Sequence, residues 1–298
     1  MDVKNFEHLM ELAKAKQAKK IAVASADDAE VLEVIERAES INLAEFILIG
    51  DACKIKDIIK EKGWNIKAEV VDEKDHNKAA EKAVDLVVNG QAGTLMKGML
   101  HTSVFLKAIL NKEKGLNTGK HITQISILEK ENDEGLLFIT DCAITVTPDL
   151  LGKKEVLENA VELAHKLGNE APKVAVLASL EVVNHSMQDT IDAAVLSKMA
   201  DREQIKGCIV DGPFAFDNAV SLEAAKAKGI TGPVAGNADI IVVPNLTVGN
   251  TLTKSITYIA KKTVASAIAG AAVPIIMTSR TDSIENKLLS IAISVYNS

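Results

Sequence analysis

The sequence predicts an α/β protein, and three observations carry that prediction. Short β-rich runs alternate with amphipathic helical patterns along nearly the whole chain, which is the rhythm of a parallel sheet with crossover helices. Many helical stretches open on Asp, Asn, Ser or Thr, the residues that cap a helix N-terminus. The alternation breaks once, at two strand-like runs with no room for a helix between them.

"KIAVASA" (Lys20 to Ala26) precedes a helix opened by Asp27-Asp28, and "EFILIGD" precedes a helix over Ala52 to Lys62. "KAEVVD" precedes a helix over Asp75 to Asn89, and "TLMKGML" (Thr94 to Leu100) meets Thr102-Ser103 before "VFLKAIL". The break follows: "HITQISILEK" (His121 to Lys130) and "GLLFITDCAIT" (Gly135 to Thr145) flank the polar stretch Glu131 to Glu134, so a hairpin or a crossing between domains is expected there. After Pro148 the pattern resumes with a helix at Lys153 to Leu167, "KVAVLAS", a helix at Met187 to Ala200, "GCIVDGP" and a helix at Asn218 to Lys228. "ADIIVVPN", a helix from about Gly249, "PIIMTSR" and a C-terminal helix complete the chain.

At 298 residues two domains are expected, with a boundary near residue 140 and a cleft between closely packed halves. Hydrophobic residues make up 47% of the chain and charged residues 25%, a globular composition. The longest uncharged run, Thr263 to Ser279, contains Gly270 and Pro274 and is shorter than the ~20 apolar residues of a bilayer span, so it reads as core. The first twenty residues show no signal-peptide pattern, and Cys53, Cys142 and Cys208 are too scattered for a disulfide framework; a cytoplasmic protein with free thiols is expected. The six histidines form no metal-ligand spacing. A net charge of -7 and 3% aromatic residues exclude the footprint of a nucleic-acid binder.

An acidic protein binds an anion only through a locally positive pocket, which directs attention to its scarce arginines, Arg37, Arg202 and Arg280, among 34 basic residues. In parallel α/β sheets ligands sit beyond the carboxyl ends of the strands. The residues there include Lys97-Gly98, Thr102-Ser103, Ser179 to Asn184, Asp211-Gly212-Pro213, Pro244 to Asn250 and Ser279-Arg280. Thr102, Ser103, Asn218 and Asn250 read first as helix N-caps, and Asp211-Gly212-Pro213 as turn chemistry. "GLNTGKH" (Gly115 to His121) lacks the spacing and the hydroxyl residue of a Walker loop, and no G-x-S-x-G elbow occurs. Arg280 offers a fixed fork for phosphate or carboxylate next to an expected helix start; a salt bridge to Asp282 or Glu285 is the competing reading.

The run Glu181 to Ile230, "EVVNHSMQDTIDAAVLSKMADREQIKGCIVDGPFAFDNAVSLEAAKAKGI", resembles the phosphate acyltransferase family in its phosphate butyryltransferase branch. The likeness continues through "AGNADIIVVPNLTVGNTLTKSI" and "PIIMTSRTDSIENKLLSIAI", and backward through "LMKGMLHTSVFLKAIL" and "FITDCAITVTPDL", spanning about Lys20 to Ile293. The resemblance implies reversible conversion of an acyl-CoA and inorganic phosphate to an acyl phosphate and CoA, without a metal or redox cofactor. It also implies two α/β domains around a cleft, similar to isocitrate and isopropylmalate dehydrogenases, and a homodimer or higher homo-oligomer. The last strand and helix return to the first domain, so the expected domains are 1–138 plus 276–298, and 139–275.

By the same resemblance Ser279 meets the CoA thiol or the developing charge, and Arg280 binds phosphate or the carbonyl oxygen. Thr102, Ser103 and Asn250 complete the anion pocket, with Lys97 and Lys107 as supporting cations; Asp211, Gly212 and Lys254 are the candidates for CoA. The aspartate that acetyltransferases carry seven positions after the serine is Asn286 here, so Asp282 and Glu285 are the local candidates for the base. Two alternatives stay open: an acetyl-specific phosphate acetyltransferase, and a non-catalytic acyl-CoA sensor like the acetyltransferase-like domains of some malic enzymes. An oxidoreductase of related fold would need an aspartate metal cluster and a nucleotide site, neither of which the sequence contains.

Overall fold

A computed structural model describes residues 3–16, 20–113, 115–131 and 135–298. The elements run α1 (Phe6–Ala15), β1 (Ile21–Ala24), α2 (Ala29–Ser40), β2 (Phe46–Gly50), α3 (Ala52–Lys62), β3 (Glu69–Asp72), α4 (His76–Val88), β4 (Thr94–Lys97) and α5 (Thr102–Ile109). Next come β5 (Thr123–Glu129), β6 (Leu136–Thr140), α6 (Leu150–Lys166), β7 (Lys173–Leu177), α7 (Gln188–Asp201), β8 (Ile209–Phe214), α8 (Phe216–Val220) and α9 (Leu222–Ala227). The chain ends with β9 (Ile240–Val242), α10 (Leu246–Tyr258), β10 (Ala265–Ala269), β11 (Ile275–Ile276) and α11 (Ile284–Tyr296).

The chain divides into a terminal unit, Phe6–Lys120 with Ala265–Ser298, and a middle unit, His121–Val264 with Met1–Asn5. These divisions fall earlier in sequence than residues 138/139 and 275/276, for two reasons. β5 pairs antiparallel with β6, with Ile127 opposite Phe138, which keeps residues after His121 in the middle unit. β10 pairs antiparallel with β11, with Ile268 opposite Ile275, and Ser266 N–H donates to Ser290 Oγ of α11 at 2.9 Å. The uncharged run after Thr263 therefore holds two strands and a turn, where periodicity alone shows one apolar stretch.

In the terminal unit the strand order is β3-β2-β1-β4-β11-β10, parallel except for the last pair. β1 (IAVA) and β2 (FILIG) are buried at every residue, as continuous apolar strands of a parallel sheet covered on both faces must be. β3, at the edge, is only partly buried and carries Glu69 and Asp72 at its ends. Asp28, Asp51 and Asp75 each accept two backbone N–H groups at the starts of α2, α3 and α4, and Gly63 closes α3 in the left-handed conformation.

In the middle unit the order is β5-β6-β9-β7-β8. The break in alternation is thus a hairpin; its polar turn, beyond Glu131, lies outside the described residues. The stretch expected as one helix from Asn218 is two, because Ser221 leaves helical geometry (φ -123, ψ 115) and caps α9. Lys153 of α6, 4% exposed, donates to Asp192 (2.7 Å) and Asp189 (3.2 Å) of α7.

That ion pair generates a stability prediction. Removing one partner of a buried pair strands the other charge, so Lys153→Met costs about 3 kcal/mol in urea unfolding, and adding Asp192→Leu restores most of it. An unchanged midpoint in the single variant contradicts the pair's role.

Candidate functional site

The carboxyl ends of three strands of the terminal unit adjoin because β4 pairs in parallel with β1 on one side and β11 on the other, with Lys97 opposite Ala24 and Met96 opposite Ile276. Segments distant in sequence, after Ala24, after Lys97 and after Ile276, thereby open at one edge of the sheet. Asp28, Lys97, Gly98, Ser279, Arg280 and Lys287 line one hollow there.

Gly98 is held against the end of β1. Its N–H donates to Ala24 O at 2.8 Å, and the next N–H, of Met99, donates to Ser25 O at 2.8 Å. A Cβ at residue 98 would lie 2.2 Å from Ser25 O, so no other residue fits this approach. Ser25 is fully buried, adopts φ 58, and shares a 2.8 Å hydrogen bond between its Oγ and His76 Nδ1.

The loop after Gly98 turns back over Lys97, whose Nζ donates to Gly98 O at 3.3 Å and Leu100 O at 3.1 Å. An ammonium has three N–H donors, so the third has no acceptor among the described residues. Burial pushes the Lys97 pKa down, and the nearby Arg280 guanidinium pushes it the same way.

Ser279 and Arg280 follow β11 in a tight turn. Ser279 N–H donates to Asp282 Oδ2 at 2.8 Å, Asp282 N–H donates to Ser279 O at 3.2 Å, and the Ser279 hydroxyl shares a 3.1 Å bond with Thr281 Oγ1. Asp282 thus serves the Ser279 backbone, and no carboxylate pairs with the exposed Arg280 guanidinium among the described residues. Lys287, 9% exposed, donates to Arg280 O at 3.3 Å, tying the turn to α11. That helix does not begin beside Arg280: Ser283 is its N-cap and accepts Asn286 N–H at 3.1 Å. Glu285 is exposed in its first turn, while Asn286 is buried and offers no titrating group.

The other expected site residues are arranged differently from the helix-cap reading. Thr102 and Ser103 do not cap α5; His101 does so by backbone geometry alone, leaving both hydroxyl residues exposed in the first turn and Lys107 exposed in the last. In the middle unit Asn245, not Asn250, caps α10, and its Oδ1 accepts Val248 N–H at 3.1 Å. Asn250 lies one turn further on and donates from Nδ2 to Cys142 O at 3.3 Å. Asn218 lies inside α8, whose N-cap is Ala215, and donates to Glu181. Asp211 and Gly212 belong to β8 and not to a turn after it; Gly212 N–H donates to Asp211 Oδ1 at 2.8 Å, and burial raises the Asp211 pKa. Lys254 is exposed on α10. Among the described residues no group of three or more His, Cys, Asp or Glu could hold a metal ion, and no helix is long and apolar enough to cross a membrane.

Sequence reasoning passed over Asp141. This residue, 3% exposed, accepts N–H groups of Ala143 (2.8 Å), Ile144 (3.1 Å) and Gln124 (3.3 Å) on Oδ1 and of Thr145 (2.9 Å) on Oδ2. Its carboxylate folds the loop after β6, and α10 packs so closely on it that a Cβ on Gly249 would lie 2.3 Å from Asp141 O. An Asp directly after an apolar strand is the available signal, since Asp side chains organise turns by accepting nearby N–H groups. Ser25 and His76 were passed over too, because nothing local marks a buried serine as left-handed.

Known proteins resemble this chain along nearly its whole length. The family described as Phosphate acetyl/butaryl transferase matches residues 59–295. The chain is 46% identical over 292 residues to the phosphate butyryltransferase of Clostridium beijerinckii, covering 98% of this chain and 97% of that one. It is 43% identical over 288 residues to the phosphate acetyltransferase of Thermotoga maritima, covering 97% and 98%. Among solved structures, a branched-chain phosphotransacylase from Enterococcus faecalis V583 superposes with a TM-score of 0.82 at 30% identity, covering 94% of this chain and 98% of that one. Matches of this identity along almost the whole length, on the same mixed α/β fold, mean that the chain belongs to the phosphate acetyl/butyryl transferase family.

Proposed function

We propose that the protein transfers a short acyl group, butyryl or branched, reversibly between CoA and inorganic phosphate: acyl-CoA and phosphate in, acyl phosphate and CoA out. The observation that carries the proposal is the meeting of Lys97 and Arg280, which among the described residues have respectively an N–H to spare and no carboxylate partner, beside the Ser279 hydroxyl at the carboxyl ends of adjoining strands. Two cations without an ion-pair partner among the described residues, in a protein of net charge -7, suit an anionic substrate.

In the direction of acyl-CoA formation the CoA thiol, with an ordinary pKa of ~8.5, gives up its proton and its sulfur attacks the acyl-phosphate carbonyl. The C–S bond forms, the C–O bond to phosphate breaks, and the departing phosphate keeps the electron pair. Arg280 grips the phosphate in a planar fork while Lys97 adds a point charge, and the Ser279 hydroxyl donates to the charge that develops on the carbonyl oxygen. In reverse, phosphate attacks the thioester and the same groups serve the same transition state.

For the thiol proton, Asp282 and Glu285 are the nearby carboxylates; the bond from Ser279 N–H to Asp282 favours a positioning role for Asp282 and leaves Glu285 as the freer acceptor. Thr102, Ser103, Lys107 and Asn250 as further phosphate or acyl contacts, and Asp211, Gly212 and Lys254 as CoA contacts, belong to the same proposal. So do operation without a metal or redox cofactor, an arrangement like that of isocitrate and isopropylmalate dehydrogenases, homo-oligomeric assembly and a cytoplasmic location.

Thiol release from butyryl-, isobutyryl- and acetyl-CoA in phosphate buffer tests the reaction. We expect turnover fastest with the four-carbon chains, and a fall of about 100-fold in kcat/KM for Arg280→Ala with the fold intact, corresponding to ~3 kcal/mol of transition-state stabilisation. Preference for acetyl-CoA would shift the reading to an acetyltransferase, and binding of butyryl-CoA without thiol release would replace it with an acyl-CoA sensor.

The pH dependence has a definite sign. Protonated Lys97 holds phosphate, and its lowered pKa means that the proton leaves at a pH below that of an ordinary lysine. The KM for phosphate therefore rises on the alkaline side earlier than a lysine near pKa ~10.4 would allow. Lys97→Arg, whose guanidinium does not titrate in that range, loses this alkaline limb. A limb that persists in Lys97→Arg assigns it to another group.

A further inference from the structure

We propose that Ser25 and His76 form a positioning pair that sets the height of the Lys97 ammonium in the anion pocket, an inference that rests on the phosphate-binding reading of that pocket. The pair acts through backbone, and each contact is explicit. His76, the first residue of α4, has its backbone fixed by the Asp75 cap, which accepts Asn77 N–H at 2.9 Å and Lys78 N–H at 3.0 Å. The ring then meets Ser25 Oγ through Nδ1 at 2.8 Å.

Ser25 is a fully buried residue other than glycine at φ 58, a conformation that persists only where its surroundings impose it. The bonds on either side do so: Ala26 N–H donates to Ile49 O of β2 at 2.8 Å, and Gly98 N–H donates to Ala24 O at 2.8 Å. Held this way, the Ser25 carbonyl points at the segment after β4 and receives Met99 N–H at 2.8 Å. The absence of a side chain on Gly98 permits that approach. Gly98 and Leu100, flanking Met99, supply the two carbonyl oxygens that hold Lys97 Nζ.

Moving Ser25 therefore moves the cradle of Lys97, although neither Ser25 nor His76 lines the pocket. The hydroxyl is too deeply buried to meet a substrate, which separates this role from that of a nucleophile. The strain at Ser25 has a use on this account: the left-handed turn aims the carbonyl, and the imidazole bond holds the turn.

The test uses the full chain and two readouts, inorganic phosphate binding by calorimetry and steady-state kinetics with phosphate and butyryl-CoA varied separately. Ser25→Gly adopts the positive φ without strain and loses only the hydroxyl, so it keeps the fold where Ser25→Ala could lose it. In Ser25→Gly and in His76→Ala we expect phosphate binding weakened on the order of tenfold, below the ~100-fold that an ångström of misplacement can cost, with the KM for butyryl-CoA unchanged. His76→Asn, whose side-chain amide can stand near the position of Nδ1, restores phosphate binding. In a Lys97→Ala background His76→Ala has no further effect, because the pair acts through that lysine. Wild-type phosphate affinity in both Ser25→Gly and His76→Ala overturns the proposal, as does an additive loss in the Lys97→Ala background. Thioester turnover absent from the wild type, with phosphate still bound and weakened in His76→Ala, defeats the proposed reaction and leaves the positioning pair standing. Absence of phosphate binding by the wild type defeats both.

Discussion

The structure of the terminal unit turns on the pairing of β4 between β1 and β11. Parallel strands place all their carboxyl ends on one edge, and here that edge receives Ser25, Lys97 and the Ser279-Arg280 turn from three regions of the chain. The tightest point is the approach of Gly98 to the Ser25 carbonyl, where a single added carbon would overlap backbone. The position of the Lys97 cradle and the left-handed serine both answer to that contact. The buried apolar residues of β1 and β2 make it rigid, since both faces of these strands are packed.

Electrostatics supply the second constraint. The chain carries an excess of acid, yet its capping aspartates are consumed locally: Asp28, Asp51 and Asp75 accept helix N–H groups, and Asp282 accepts that of Ser279. Among the described residues no ion pair joins Asp28, Asp51 or Asp75 to Lys97 or Arg280, and Asp51 pairs with Lys74 instead. The result is a pocket that presents Lys97 and Arg280 together in an acidic protein, where burial and then the Arg280 guanidinium lower the affinity of Lys97 for its proton. Asn286 fits the same pattern. A neutral amide buried in the first turns of α11 adds no further negative charge there.

Much of the architecture is legible in the residues themselves. Buried parallel strands need uninterrupted apolar runs, so "IAVA", "FILIG" and "IIV" announce themselves, and aspartates just before helical patterns mark α2, α3 and α4. Side-chain partners are harder to read. Thr102 and Ser103 have good capping chemistry, but the loop that wraps Lys97 ends at Leu100 and starts the helix one residue early. Asn250 gives way to Asn245 because a cap is chosen by where the preceding strand releases the chain. The split of the apolar run into β10 and β11 escapes periodicity, since short buried strands and one continuous core segment have the same composition.

What the sequence by itself determined is the α/β rhythm, the family resemblance and the presence of a serine and an arginine at the end of a buried strand. Each of these is a property of consecutive residues: propensity, capping and local pattern act over a few positions. What only the tertiary structure decided is which strand ends adjoin, that Lys97 faces Arg280, that Asp141 gathers four backbone donors, and that Ser25 is left-handed with His76 upon it. Apart from the three short-range donors to Asp141, these depend on hydrogen bonds and steric limits between segments separated in sequence by tens to hundreds of residues, and the chain closes such contacts only when the sheet is complete.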